Sequence, residues 1–295
     1  MSSKLLVFYC ILFLSVSYAQ PSVKLKVVAT NSIVANWVKN IASDDQIALT
    51  TLVGPDADVH TFEPTPLDNV ALAKADVIFE IGLGFEHWMD KLYTASASHA
   101  KRIVLTEKVV SQPLTVLRDV DPHVWHNVRY VIGMVKRMNH ALQLADPAHA
   151  SIYETNTQSY LRQLEDLESW ATKKVAQIPP ERRKLVTNHD SLGYFCQHYG
   201  FDLIGAAFES ATTEAEDPSA KDMAHLIDKI KLFGVHVVFA ENINNSKLLA
   251  SIAREAHVVL APPLYTDALG PQGSPADTYI KMMRYNIETI VRMLQ

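Results

Sequence analysis

Four residues in this chain are of a type, and in a setting, that could bind a metal ion: His60, His123, His189 and Asp267. Each falls in a loop or irregular segment next to a strand pattern. Residues 56–64 form a polar loop held between Pro55 and Pro64 that carries His60. His123 follows Pro122 in the run 119–125, His189 lies just after the strand pattern 184–187, and Asp267 lies in the loop 261–275. Three imidazoles and a carboxylate make a four-donor N/O shell for a first-row divalent ion. Each has a plainer reading when taken alone. His60 could stabilise a turn, and His123 could pack on Trp125 or form an i,i+3 pair with His126. Loop aspartates such as Asp267 most often cap or turn the backbone. Glu63, Glu209 and Glu241 border the same loops and could accept the histidines' second ring N–H. Cys196, beside Phe195, reads as buried packing rather than as a ligand.

The elements that must position these residues follow an α/β rhythm. Strand patterns at 24–30, 47–53, 77–81 and 102–105 alternate with helical patterns through Ala42, over 67–74, and through Trp88. A helix over 127–144 follows. Further strand patterns at 184–187, 203–207, 235–240 and 258–260 alternate with helices at 218–233 and 246–256, before a terminal helix through Leu294. Strands separated by helices imply βα units and parallel sheets, whose ligands bind beyond the carboxyl ends of the strands. Between the two sets lies one long helical run, 146–178. Asp146 is a candidate N-cap, Pro147 suits the first turn, and Pro179-Pro180 ends it. Its apolar stripe is Ile152, Tyr160, Leu161, Leu164, Leu167, Ala171, Val175 and Ile178. At about 1.5 Å per residue it makes a rod of roughly 48 Å. The expected fold is α/β, with two lobes (20–145 and 179–295), each a parallel sheet flanked by helices, joined by the rigid helix 146–178.

Residues 1–19 read as a cleaved signal peptide, with Lys4, an apolar run 5–16 and Ser17-Tyr18-Ala19 before the cut. Cleavage removes Cys10 and leaves Cys196 alone, so no internal disulfide is expected. A net charge of −5 with 20% charged residues offers no basic surface for nucleic acid, and no membrane span is expected in the mature chain. The His-Glu-x-x-His, Gly-x-Ser-x-Gly, Gly-x-x-x-x-Gly-Lys-Ser/Thr and Gly-x-Gly-x-x-Gly patterns do not occur, which argues against several hydrolase and nucleotide-binding classes.

Four motifs in order then resemble one family. They are Gly54-Pro-Asp-Ala-Asp-Val-His60-Thr-Phe-Glu-Pro64, Asp121-Pro-His123-Val-Trp125, Asn188-His189-Asp-Ser-Leu-Gly-Tyr-Phe195 and Leu264-Tyr-Thr-Asp267-Ala-Leu269. They are similar to the ligand loops of the periplasmic zinc/manganese solute-binding proteins of ABC transporters (cluster A-I, the ZnuA/TroA type). The resemblance implies a non-enzymatic monomer in the periplasm that holds one ion between two lobes on His60, His123, His189 and Asp267. It also implies delivery to an ABC permease in the inner membrane and small lobe movements about a stiff helix. Many zinc-uptake members carry a His-rich insertion before the second motif, whereas 106–120 here contains no histidine. Manganese-type members often place glutamate where this chain has His189. One carboxylate among three imidazoles favours Zn2+ over Mn2+ or Fe2+. Because ligand imidazoles must be deprotonated, affinity is expected to fall as pH drops through about 6.5. Two readings from other classes are a metallohydrolase, with Glu63 or Glu241 as general base, and an adhesin with a structural metal.

Overall fold

The computed structural model describes residues 23–116, 119–213, 218–243 and 246–295, so the signal-peptide reading of 1–19 lies outside the described residues. In the first lobe, β1 (Leu25–Asn31), β2 (Ile47–Val53), β3 (Val77–Glu80) and β4 (Lys101–Val104) form one parallel sheet of order β2-β1-β3-β4. The central strands read as near-continuous apolar runs because both faces are covered. Val27, Val28 and Ala29 of β1 and Val77, Ile78 and Phe79 of β3 are all buried. Each strand feeds a helix or turn at its carboxyl end. Asn31 ends β1 and caps α1 (Ser32–Ile41) by accepting the Val34 N–H at 3.0 Å. Pro66 opens α2 (Pro66–Lys74), and the Asp68 carboxylate accepts the Thr65 N–H at 2.7 Å.

The expected helix through Trp88 is instead a run of turns. Gly82, Leu83 and Gly84 all take positive φ, which a continuing helix cannot accommodate, and α3 begins only at Met89 (Met89–Ala95). Two short antiparallel strands missed by the pattern, β5 (Thr115–Val116) and β6 (Asp119–Val120), precede the second ligand segment. Asn127 caps α4 (Val128–Ala145).

The long helix α5 spans Ala150–Val175. Its 26 residues make about 39 Å at 1.5 Å each, shorter than the expected rod. Pro147–His149 is a 3-10 turn leading into α5, with Asp146 at its N-cap position and Pro147 in its first turn as expected, though the Asp146 side chain makes no cap hydrogen bond. It accepts the Tyr153 hydroxyl at 2.7 Å and contacts His149 Nδ1 at 2.6 Å. The buried stripe differs at its start, with Tyr153 fully buried and Ile152 40% exposed. Tyr153, Thr157, Tyr160, Leu164, Leu167, Ala171 and Val175 recur at steps of three and four, which keeps them on one face.

The second lobe contains β7 (Lys184–His189) paired in parallel with β8 (Asp202–Phe208), and β9 (Val237–Glu241) paired in parallel with β10 (Val259–Leu264). α6 (Gly193–Tyr199), α7 (Ala220–Leu232) and α8 (Lys247–Ala256) complete it. The two strand pairs lie side by side, and side chains bridge the seam between β7 and β9. Glu241 Oε1 accepts the Asn188 and His189 N–H groups, and Asn188 Oδ1 accepts the Glu241 N–H at 3.1 Å. The terminal helix α9 (Tyr279–Leu294) packs on α5 and reaches α1, where Tyr279 meets Trp37 edge-on at 5.6 Å.

Candidate metal centre

The four candidate residues all lie just beyond carboxyl ends of strands, or at one, and converge between the lobes. The loop after β2 brings in His60, and the segment after β6 brings His123. His189 is the last residue of β7, and the loop after β10 supplies Asp267. One donor atom from each lies within 4.8 Å of every other, and all four side chains are fully buried.

Their spacing is that of donors around an ion. The Asp267 carboxylate lies 3.5 Å from His60 Nε2, 3.4 Å from His123 Nε2 and 3.2 Å from His189 Nε2. His123 Nε2 and His189 Nε2 are 3.2 Å apart. A tetrahedral ion with bonds of about 2.0–2.1 Å has ligand–ligand edges of roughly 3.3–3.4 Å. Both Asp267 oxygens and both His60 ring nitrogens are buried without a hydrogen-bond partner among the described residues. Buried polar atoms left unpaired are costly, and the Asp267 oxygens and His60 Nε2, which face one another, fit a cation held among them.

Outer contacts orient two of the rings. His123 Nδ1 lies 2.7 Å from Asp121 Oδ1, which also accepts the His123 backbone N–H at 2.9 Å. His189 Nδ1 lies 2.5 Å from Glu241 Oε2, which also accepts the Thr266 hydroxyl at 3.1 Å. Donating Nδ1–H to a carboxylate fixes the tautomer and leaves Nε2 as the donor atom. Gly193 permits this packing, since a Cβ there would stand 2.5 Å from Asp121 Oδ2. His60 is placed through its backbone. Asp58 Oδ1 accepts its N–H at 2.9 Å, and its carbonyl lies 2.7 Å from His87 Nε2. Phe85 closes the pocket, 5.0 Å edge-on to His60 and 4.7 Å from Trp125.

Electrostatics follow from burial and from the carboxylates. Burial alone would lower His123, but the Asp267 and Asp121 carboxylates outweigh it and hold it at about 9. His189 is likewise raised well above the usual imidazole range against the pull of burial, by Glu241 and Asp267. Burial dominates at His60 and lowers it. Asp267 is held well below the usual carboxylate range because His189 and His123 outweigh its burial. At most one proton fits between two Nε2 atoms 3.2 Å apart, and the carboxylates that raise His123 and His189 favour keeping it there.

The match to known sequences spans nearly all of the described residues. Residues 27–293 fit the family described as zinc-uptake complex component A, periplasmic (ZnuA). The chain belongs to that family. It is therefore a metal-binding solute-binding protein of the ABC-transporter type and not an enzyme. It is 33% identical over 267 residues to the manganese-binding lipoprotein MntA of Halalkalibacterium halodurans, covering 90% of this chain and 87% of that one. It is also 33% identical to the zinc-binding protein TroA of Treponema pallidum, covering 91% of this chain and 88% of that one. The structure of Treponema pallidum TroA superposes with a TM-score of 0.86 at 32% identity, covering 92% of this chain and 99% of that one.

Among the residues singled out in the sequence, His123 faces the centre and His126 does not join the donor cluster. His126 is buried, and burial together with the His123 charge lowers its pKa to about 3. Glu241 is the one of the three glutamates that reaches a ligand ring. Glu63 is exposed, and Glu209 pairs with Lys229 at 2.9 Å. Cys196 is free and buried, and burial pushes its thiol pKa up. Asp121 is an acceptor that the residue types alone do not single out, and its place two residues before His123 is the signal that points to it.

Proposed function

We propose that this chain captures one divalent transition ion, zinc in preference, on His60, His123, His189 and Asp267, and delivers it to an ABC permease in the inner membrane. The observation that carries the reading is the convergence of four fully buried donors within 4.8 Å of one another, the Asp267 carboxylate standing 3.2–3.5 Å from all three imidazoles, with several of these atoms otherwise unpaired. Three neutral imidazoles and one carboxylate suit Zn2+ better than Mn2+ or Fe2+, and zinc stands above both in intrinsic affinity order. The supporting relatives divide. One at 33% identity is named for manganese and another at 33% is named for zinc. Manganese is the second reading, favoured by that first relative and by an Asp267 carboxylate with both oxygens unpaired and open to bidentate ligation.

Export by the leader 1–19 would place the protein in the periplasm as a monomer. Among the described residues no helix is long and apolar enough to cross a membrane. In this reading 20–145 and 179–295 are the two lobes, and 146–178 sets the distance across which the ion is held. Competition at equilibrium tests the choice of ion. With zinc and manganese buffered together, wild-type protein is expected to retain zinc at equal free concentrations. Retention of manganese would reverse the preference.

A further inference from the structure

The two histidine ligands of the first lobe share a local sequence, Asp-x-His, yet their aspartates do different things. In Asp121-Pro122-His123, Asp121 Oδ1 holds both the backbone N–H and Nδ1 of His123, so one carboxylate within one lobe fixes the ring. In Asp58-Val59-His60, Asp58 Oδ1 holds only the backbone N–H of His60, at 2.9 Å. The other oxygen of Asp58 accepts the Thr213 hydroxyl from the second lobe. His60 Nδ1 is buried with no hydrogen-bond partner among the described residues. His60 is thus the one imidazole of the three without a carboxylate on its Nδ1, and its anchor is shared across the cleft.

A parallel link runs alongside. Asn242 Nδ2 donates to Asp56 Oδ1 at 2.8 Å, while Asn242 Oδ1 accepts the Thr266 N–H at 3.2 Å, one residue before Asp267. The Asp56 N–H also donates to the Leu269 carbonyl at 2.9 Å. The loop that carries His60 is therefore fastened to the second lobe at two points just before the ligand, Asp56 and Asp58.

We propose that Asp58 is a positioning residue that couples His60 to the opposite lobe through Thr213, so that parting of the lobes loosens this ligand first and sets the rate at which the ion leaves. The coupling deepens the metal-carrier reading and rests on it. When the lobes part, the Asp58–Thr213 bond is lost and the Asp58 carboxylate is released from its cross-cleft partner. The His60 ring, with nothing holding Nδ1, can then swing away from the ion. His123 and His189 keep Asp121 and Glu241 on their rings. The order of ligand loss follows from this asymmetry.

The test uses release kinetics from the full-length mature protein loaded with zinc, measured by trapping the released ion with a chromogenic chelator. Thr213→Val removes the hydroxyl while keeping the side-chain shape, and is expected to speed release about tenfold, the scale of one hydrogen bond to a charged group. The association rate is expected to stay unchanged, so that the effect falls on release alone. Thr213→Ser, which restores the hydroxyl, is expected to return release to the wild-type rate. A Thr213→Val protein that releases zinc at the wild-type rate overturns the coupling, as does equal slowing or speeding of both association and release. A wild-type protein that takes up no zinc or manganese at all overturns the carrier reading beneath it, and the two failures are separated by the wild-type titration itself.

Discussion

Asp267→Asn is expected to weaken zinc binding by at least about a hundredfold at neutral pH. The carboxylate is fully buried, lies 3.2–3.5 Å from all three Nε2 atoms, and is the sole negative donor among the four. Removing one side of a buried charge arrangement leaves the other uncompensated, at about 3–5 kcal/mol, which is a factor of a hundred or more in affinity. An opposing effect is smaller. Asp267 is one of the charges that hold protons on His123 and His189, so neutral asparagine lowers both imidazoles and eases proton competition. Titration calorimetry on the metal-free variant measures the net result. Affinity within a few-fold of wild type would mean that Asp267 is not a ligand.

The second large effect is thermal stabilisation by the ion, with a defined pH dependence. At free zinc a thousandfold above the dissociation constant, binding to the folded state adds about 4.1 kcal/mol. For a chain of this size that corresponds to a rise of roughly 8–16 °C in the unfolding midpoint, at about 2–4 °C per kcal/mol. The sign of the pH effect comes from His123 and His189. Their folded pKa values lie above the unfolded imidazole value of about 6.5, with His123 at about 9. In the metal-free protein this contributes stability that is fully present below about 6.5 and fades as pH rises towards about 9. Zinc needs the same Nε2 atoms bare, so its affinity climbs through that window as the retained proton becomes easier to displace. The zinc-induced shift in midpoint is thus expected to be larger at pH 8.5 than at pH 6. The window sits higher than ordinary imidazoles would place it, because the carboxylates of Asp121, Glu241 and Asp267 surround the pair. Differential scanning calorimetry with and without zinc at both pH values checks this; a shift that is equal or larger at pH 6 contradicts it.

What was legible beforehand was the placement of donors. Loops and irregular segments next to strand patterns pointed to His60, His123, His189 and Asp267, and the structure brings those four together. The strand–helix alternation likewise implied the parallel pairing seen in both lobes. Less legible were features set by backbone and tertiary context. The Gly82-Leu83-Gly84 turn replaced an expected helix because three successive positive φ angles cannot be read from apolar spacing. Asp146 holds the cap position, but of a 3-10 turn: its carboxylate is taken by Tyr153 and His149, and the regular helix starts four residues later. The division of the second lobe into two strand pairs depends on Glu241 and Asn188 bridging the seam, a pairing of residues 53 apart in the chain. Glu241 itself was one of three equivalent-looking glutamates, and only the fold distinguishes it from Glu63 and Glu209.

The most direct test of the shared metal centre is X-ray absorption at the zinc edge of the stoichiometrically loaded protein. Four-donor ligation by His60, His123, His189 and Asp267 predicts three imidazole nitrogens and carboxylate oxygen in the inner shell at about 2.0–2.2 Å, with no sulfur. Loss of one imidazole scattering pattern is expected in each of His60→Ala, His123→Ala and His189→Ala that still binds the ion. A shell dominated by water oxygens, or one unchanged across the three variants, would contradict the account.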